Sequence, residues 1–192
     1  MPPSPALTAA IDRAANTRFA ELHEPDPGPV ELGEAVDAIL DALAPPDDPA
    51  SHRRLVAMAL AMARICADTV YGYKPDDPRV AAALEAMAAW RAGQPVAVPR
   101  AAELFPWENT GAQALNEAQD VFHQLLRTID PSEAPEAVGE LLDDCFEGYA
   151  VRVGRDPQRG LFDWWLREVV PAAWRGEEPT RWYETAPLGW RG

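Results

Sequence analysis

Lysine, histidine and cysteine are scarce in this 192-residue chain: one lysine, Lys74, stands against sixteen arginines, with three histidines and two cysteines. The cysteines, Cys66 and Cys145, lie 79 positions apart in helical apolar patterns and form no CxxC pair. Two buried, reduced thiols behaving as small hydrophobes are therefore expected, in keeping with a cytoplasmic setting. The histidines, His23, His52 and His123, form no HExxH motif. A nucleophile elbow and a Gly-rich phosphate loop of Walker or Rossmann form are also missing, so no cofactor is expected. The longest apolar run, residues 55–63, has nine residues, whereas a membrane span takes about 20. The opening segment MPPSPALTAAIDR lacks a basic stretch followed by an apolar core, so no signal peptide and no membrane partner are expected.

Acidic residues are abundant. The formal net charge is −14, and residues 1–147 hold 25 acids against ten bases while the remainder is nearly balanced. An acidic surface repels phosphate backbones and speeds encounter with basic proteins, which argues against nucleic acid as a partner. Residues 133–147 carry six carboxylates and no base: Glu133, Glu136, Glu140, Asp143, Asp144 and Glu147. At about 100° per residue they fall within roughly a third of a helix circumference, opposite Val138, Leu141, Leu142, Cys145 and Tyr149. Such a stripe is either a solvated face or a partner-binding surface. Residues 31–43 repeat the pattern, with Glu31, Glu34, Asp37 and Asp41 away from an apolar stripe of Leu32, Val36, Ile39, Leu40 and Leu43.

Asp-Pro dipeptides at residues 26, 48, 77, 130 and 156 punctuate the chain. Four of them are expected to open helices, since Asp caps free amides of a first turn and Pro at the first helical position loses an amide that had no partner. Helices are expected over residues 5–22, 31–43, 51–70, 78–90, 110–129, 133–147 and 157–174. Residues 94–109 read as irregular, with one helical turn at most. Residues 51–70 are apolar almost all round and mark the central helix. The expected fold is an all-α, single-domain bundle of about six to eight helices, with a core over residues 30–175 and a tryptophan-rich tail over 176–192.

Five of the seven tryptophans, Trp164, Trp165, Trp174, Trp182 and Trp190, lie in the last 29 residues. They either glue the end of the chain onto the bundle or form an exposed anchor set for a second copy. Two constellations bear on catalysis. Asn116, Asp120, His123 and Arg127 share one helix flank, where an Asp one turn from a His can orient an imidazole. Glu21-x-x-Glu24 and Glu34-x-x-Asp37 have the ExxE…ExxD form by which all-α nucleotide pyrophosphohydrolases hold Mg²⁺. In this chain a proline-laden turn intervenes, and Glu34 and Asp37 lie opposite the core stripe. A metal-dependent hydrolase and a structural or regulatory helical protein are thus the alternatives to a binding protein.

Residues 63–93, ARICADTVYGYKPDDPRVAAALEAMAAWRAG, carry Cys66, Ala67, Val70, Asp76, Asp77, Arg79, Ala83, Glu85, Ala86, Ala89, Trp90 and Gly93. This segment resembles the opening helical pair of the Imm5-like bacterial immunity proteins. The resemblance implies neutralisation of a toxin by tight binding and brings no catalytic residue with it. Carboxylates mounted on helices suit that role, because a nucleic-acid-cutting toxin presents a basic substrate surface. A basic protein such as a toxin is the expected partner, with the six carboxylates of residues 133–147 as the binding residues.

Overall fold

The computed structural model describes residues 2–151 and 157–184. Every regular element in them is helical: α1 (Pro5–Asn16), α2 (Leu32–Leu43), α3 (Ser51–Tyr73), α4 (Pro78–Arg91), α5 (Ala101–Leu104), α6 (Gln113–Arg127), α7 (Ala134–Phe146), α8 (Pro157–Trp164) and α9 (Val170–Arg175). The protein is an all-α bundle. Trp190 and the Asp156-Pro157 opening fall wholly or partly outside the described residues.

Helix α3 is the axis. Residues 54–63 are all buried, and the helix packs against α2, α4, α6, α7 and α9. By length and composition α3 is apolar enough to cross a membrane, because Ile65, Cys66, Ala67 and Val70 continue the apolar stretch past Arg64, and 78% of that window is buried inside the bundle. A helix with apolar residues on every side needs neighbours on every side. Its one buried cation is accommodated: Arg54 donates to the Leu43 carbonyl at 3.1 Å, pairs with Asp48 at 2.8 Å and lies 3.8 Å over the Trp174 ring.

The Asp-Pro signals are realised in two ways. Asp77 caps α4 directly, accepting from the Arg79 amide. Asp48 and Asp130 instead accept from the amides of Ala50 and Ser132, making tight turns one step ahead of α3 and α7. Such side-chain turns imitate a backbone turn and set the approach to the helix. Asp26 opens no helix and sits at φ 51° in the linker before α2.

Helix α1 stops at Asn16, short of residue 22. The Asn16 amide donates to the Asp12 carbonyl and the Thr17 hydroxyl to the Arg13 carbonyl, so side chains saturate the last turn and the backbone leaves it. Phe19 and Leu22 are still buried, and the core therefore starts before residue 30, with Leu7, Ala10 and Ala14. Arg159 of α8 holds this corner. Its guanidinium donates to the carbonyls of Ala15 and Thr17 at 2.7 Å each and pairs with Glu24 at 3.1 Å and Asp163 at 2.9 Å.

Helix α8 runs without a break through a π-helical turn (Trp165–Val169) into α9. Pro171 supplies the reason. It has no amide to offer the carbonyl four residues back and its ring crowds that carbonyl, so the preceding turn opens to the wider spacing, with the Val170 amide on the Trp165 carbonyl. Adjacent Trp164 and Trp165 are both buried, in different directions. Trp165 joins Phe146 and Phe162, with Phe19 beyond, in ring contacts of 5.3–5.5 Å. Trp164 donates from Nε1 to the Arg181 carbonyl at 2.7 Å, and Trp174 donates to the Pro2 carbonyl at 2.9 Å. These three tryptophans act as glue, while Trp182 is 40% exposed.

Arg159→Met keeps the packing volume and removes every polar contact at the α1 corner. Denaturant unfolding should show a loss of about 2–4 kcal/mol, since a multiply bonded guanidinium leaves several acceptors unsatisfied. Limited proteolysis should cut first between residues 17 and 31.

Candidate acidic interface

Helix α7 presents its carboxylates because its other face is fixed. Ala134, Ala137, Val138, Leu141, Leu142, Cys145 and Phe146 are buried against α6, α3, α2 and α8. Tyr149, expected on this apolar side, is 59% exposed because the helix has ended at Phe146 and the chain has turned.

The six carboxylates do not form one uniform band. Arg127, at the end of α6, gathers the first three: Glu133 at 2.9 Å, Glu140 at 3.0 Å and Glu136 at 3.6 Å. The Gln124 amide also donates to Glu140. The hydrogen bond that Arg127 donates to Glu133, with the charges of the three glutamates, holds the guanidinium above its ordinary pKa. This end of the stripe is compensated.

Asp144 turns the other way, toward α6. Burial, followed by the charges of Asp120 and Glu117, pushes its carboxyl from the ordinary 3.8 up to about 8. Burial likewise lifts Asp120 to about 6, opposed by His123 and reinforced by Glu117. Glu117 accepts from the Gln113 side chain at 2.8 Å and from the Tyr149 amide. Gly148 makes this closure feasible: a Cβ there would lie 2.5 Å from Glu117 Oε2 and 2.6 Å from the Asp144 carbonyl. The shift favours the protonated form of Asp144 at neutral pH and weakens the charge it offers a partner.

Asp143 and Glu147 face outward and meet a second set of acids. Burial and then the charge of Asp37 raise the Asp143 carboxyl, with Glu140 adding to it. Burial, followed by Asp143, Glu21 and Glu31, raises that of Glu147. The acidic faces of α2 and α7 thus form a single surface built from Glu21, Glu31, Asp37, Asp143 and Glu147. Among the described residues the ion pairs at this stripe are those of Arg127, and no cation pairs with Asp37, Asp143 or Glu147. Sequence spacing marks both faces as acidic; their union depends on α2 packing beside α7, which spacing does not encode.

The catalytic constellations are dispersed. His123 is buried, donates from Nδ1 to the Phe105 carbonyl at 2.6 Å and lies 4.3 Å beneath the Trp107 ring, so it pins the loop before α6. Asn116 accepts from the Thr110 amide and hydroxyl, and Arg127 is engaged by the glutamates. Of that flank, Asp120 faces the acids Asp144 and Glu117. In the ExxE…ExxD set, Glu21 accepts from the Leu32 amide at 3.2 Å, while Glu24 accepts from the Phe19 amide at 2.9 Å and pairs with Arg159. Glu34 instead lines a groove between α1 and α2 with Arg13. Among the described residues no group of three or more His, Cys, Asp or Glu side chains is placed to hold a metal ion.

No family model, curated protein or solved structure matches this chain. The geometry of α2, α6 and α7 carries the functional argument.

The raised Asp144 carboxyl makes a pH-dependent prediction. The unfolded chain ionises this group near 3.8, whereas the folded protein keeps the proton to about 8. The contribution of Asp144 to stability is therefore most favourable below the unfolded value, falls as pH rises through this window and levels off above it. Asp144→Asn imitates the protonated form. Its melting temperature should match that of the parent near pH 4 and exceed it at pH 8; parallel profiles would show that Asp144 is ionised in the fold.

Proposed function

We propose that this protein binds a basic protein through the joined acidic surface of α2 and α7, and that it does so as an antidote of the immunity-protein kind. The convergence of Asp37, Asp143 and Glu147, with no cation paired to them among the described residues, supports this reading most strongly. Like charges held together by a rigid scaffold repel one another, and an incoming guanidinium or ammonium group relieves that repulsion. The partner's charge thus supplies what the free protein lacks. A net charge of −14 adds long-range attraction, which raises association rates more than it raises final affinity and weakens with salt.

The toxin-directed form of the proposal draws on the resemblance of residues 63–93 to Imm5-like proteins. Those residues span the second half of α3 and all of α4, so they belong to the scaffold and leave the acidic surface as the contact. Of the six carboxylates in the α7 stripe, Asp143 and Glu147 take the leading part. Glu133, Glu136 and Glu140 are already paired with Arg127, and burial disfavours charge on Asp144.

Two variants separate the halves of the stripe. At low salt, binding of a labelled arginine-rich peptide should weaken at least about tenfold in Asp37→Lys/Asp143→Lys/Glu147→Lys, and less than about threefold in Glu133→Gln/Glu136→Gln. Equal losses in both would remove the joined surface from the mechanism. For the antidote role, co-expression with the product of a neighbouring toxin-like reading frame should restore growth, and the triple charge reversal should abolish that rescue.

A further inference from the structure

Cys66 on α3 and Cys145 on α7 meet inside the bundle, although 79 positions separate them. Both are free thiols, exposed by 0% and 2%, and their sulfurs are 3.6 Å apart in a weak S–H···S contact. We propose that this pair is a redox site, at which hydrogen peroxide converts the two thiols to a disulfide that staples α3 to α7.

The geometry is close to what closure needs. A disulfide brings its sulfurs to about 2.05 Å, so each side chain has to move by less than an ångström if the two share the change. Both residues sit on helices packed against each other, and the partner thiol is already in place. The chemistry runs in two balanced steps. The Cys145 thiolate attacks one peroxide oxygen, the O–O bond breaks, and the products are a sulfenic acid and water once the thiol proton has been passed on. The Cys66 sulfur then attacks the sulfenic sulfur; the S–S bond forms, the S–O bond breaks, and hydroxide leaves as water with the Cys66 proton. Two thiols lose two hydrogens and two electrons in all, and one peroxide becomes two waters.

Position decides which sulfur reacts first. Cys145 lies in the last turn of α7, just before Phe146 and the bend at Gly148, and helix ends open at lower cost than helix middles. Cys66 sits well inside α3. Burial pushes the Cys145 thiol up, so the closed helix end protects it and the reaction proceeds at the rate of local opening.

The test uses the full, folded chain. After treatment with hydrogen peroxide the protein is quenched, unfolded and alkylated, and its intact mass is read. The expected product is about 2 Da lighter than the reduced chain and takes up no alkylating agent, which dithiothreitol reverses. It should melt roughly 5–10 °C higher than the reduced protein. Cys66→Ala, whose remaining thiol has no partner, should give no such product. Retention of both alkylatable thiols, gain of oxygen in place of hydrogen loss, or a lower melting temperature would each overturn the proposal.

Discussion

The arrangement depends on one constraint: α3 offers apolar surface in every direction and cannot be left with a wet side. A helix of ordinary amphipathicity settles the position of one neighbour. A helix buried on all sides demands a ring of them, and α2, α4, α6, α7 and α9 supply it. Each of these turns an apolar stripe toward α3 or a flanking helix and its polar face outward. The side-by-side placement of α2 and α7 follows, and with it the meeting of their carboxylates.

Arginine supplies the connections that apolar packing cannot. Arg54 and Arg127 each tie their helix to oxygens of the adjoining helix and turn, and Arg159 reaches across most of the chain to the end of α1. A planar, always-charged fork with several donors suits such junctions better than the point charge of a lysine. The abundance of arginine, uninformative as composition, thus has a structural use at these three places. Its distribution also shapes the surface: Arg127 neutralises the start of the α7 stripe, and among the described residues no arginine pairs with the acids between α2 and the end of α7.

Helix identity, the central place of α3 and the acidic faces were legible in the sequence because periodicity and capping residues act locally. What escaped was tertiary. The stripe pattern treated Asp144 as one of six equal carboxylates, and only the approach of α6 distinguishes it from Asp143 beside it. Tyr149 fits the helical register but lies past the point where the helix ends. The length of α1 was overestimated because Phe19 and Leu22 keep the apolar spacing while reaching the core from a turn. His123 and Asp120 share a helix flank, yet one is turned under Trp107 and the other toward α7. For the union of the two acidic faces the only advance signal was that both helices were acidic.

The grip of Arg159 on the end of α1 bears on the order in which the molecule can assemble. The carbonyls of Ala15 and Thr17 and the carboxylate of Glu24 wait for a residue more than 130 positions later, and the Trp174 contact with Pro2 spans 172. During synthesis α1 leaves the ribosome well before α8 exists. Contacts of such long separation carry a loop-closure cost that is met only after nearer helices have packed. The segment translated early is thus among the last to be secured, and until then Leu7, Phe19 and Leu22 remain without their shelter.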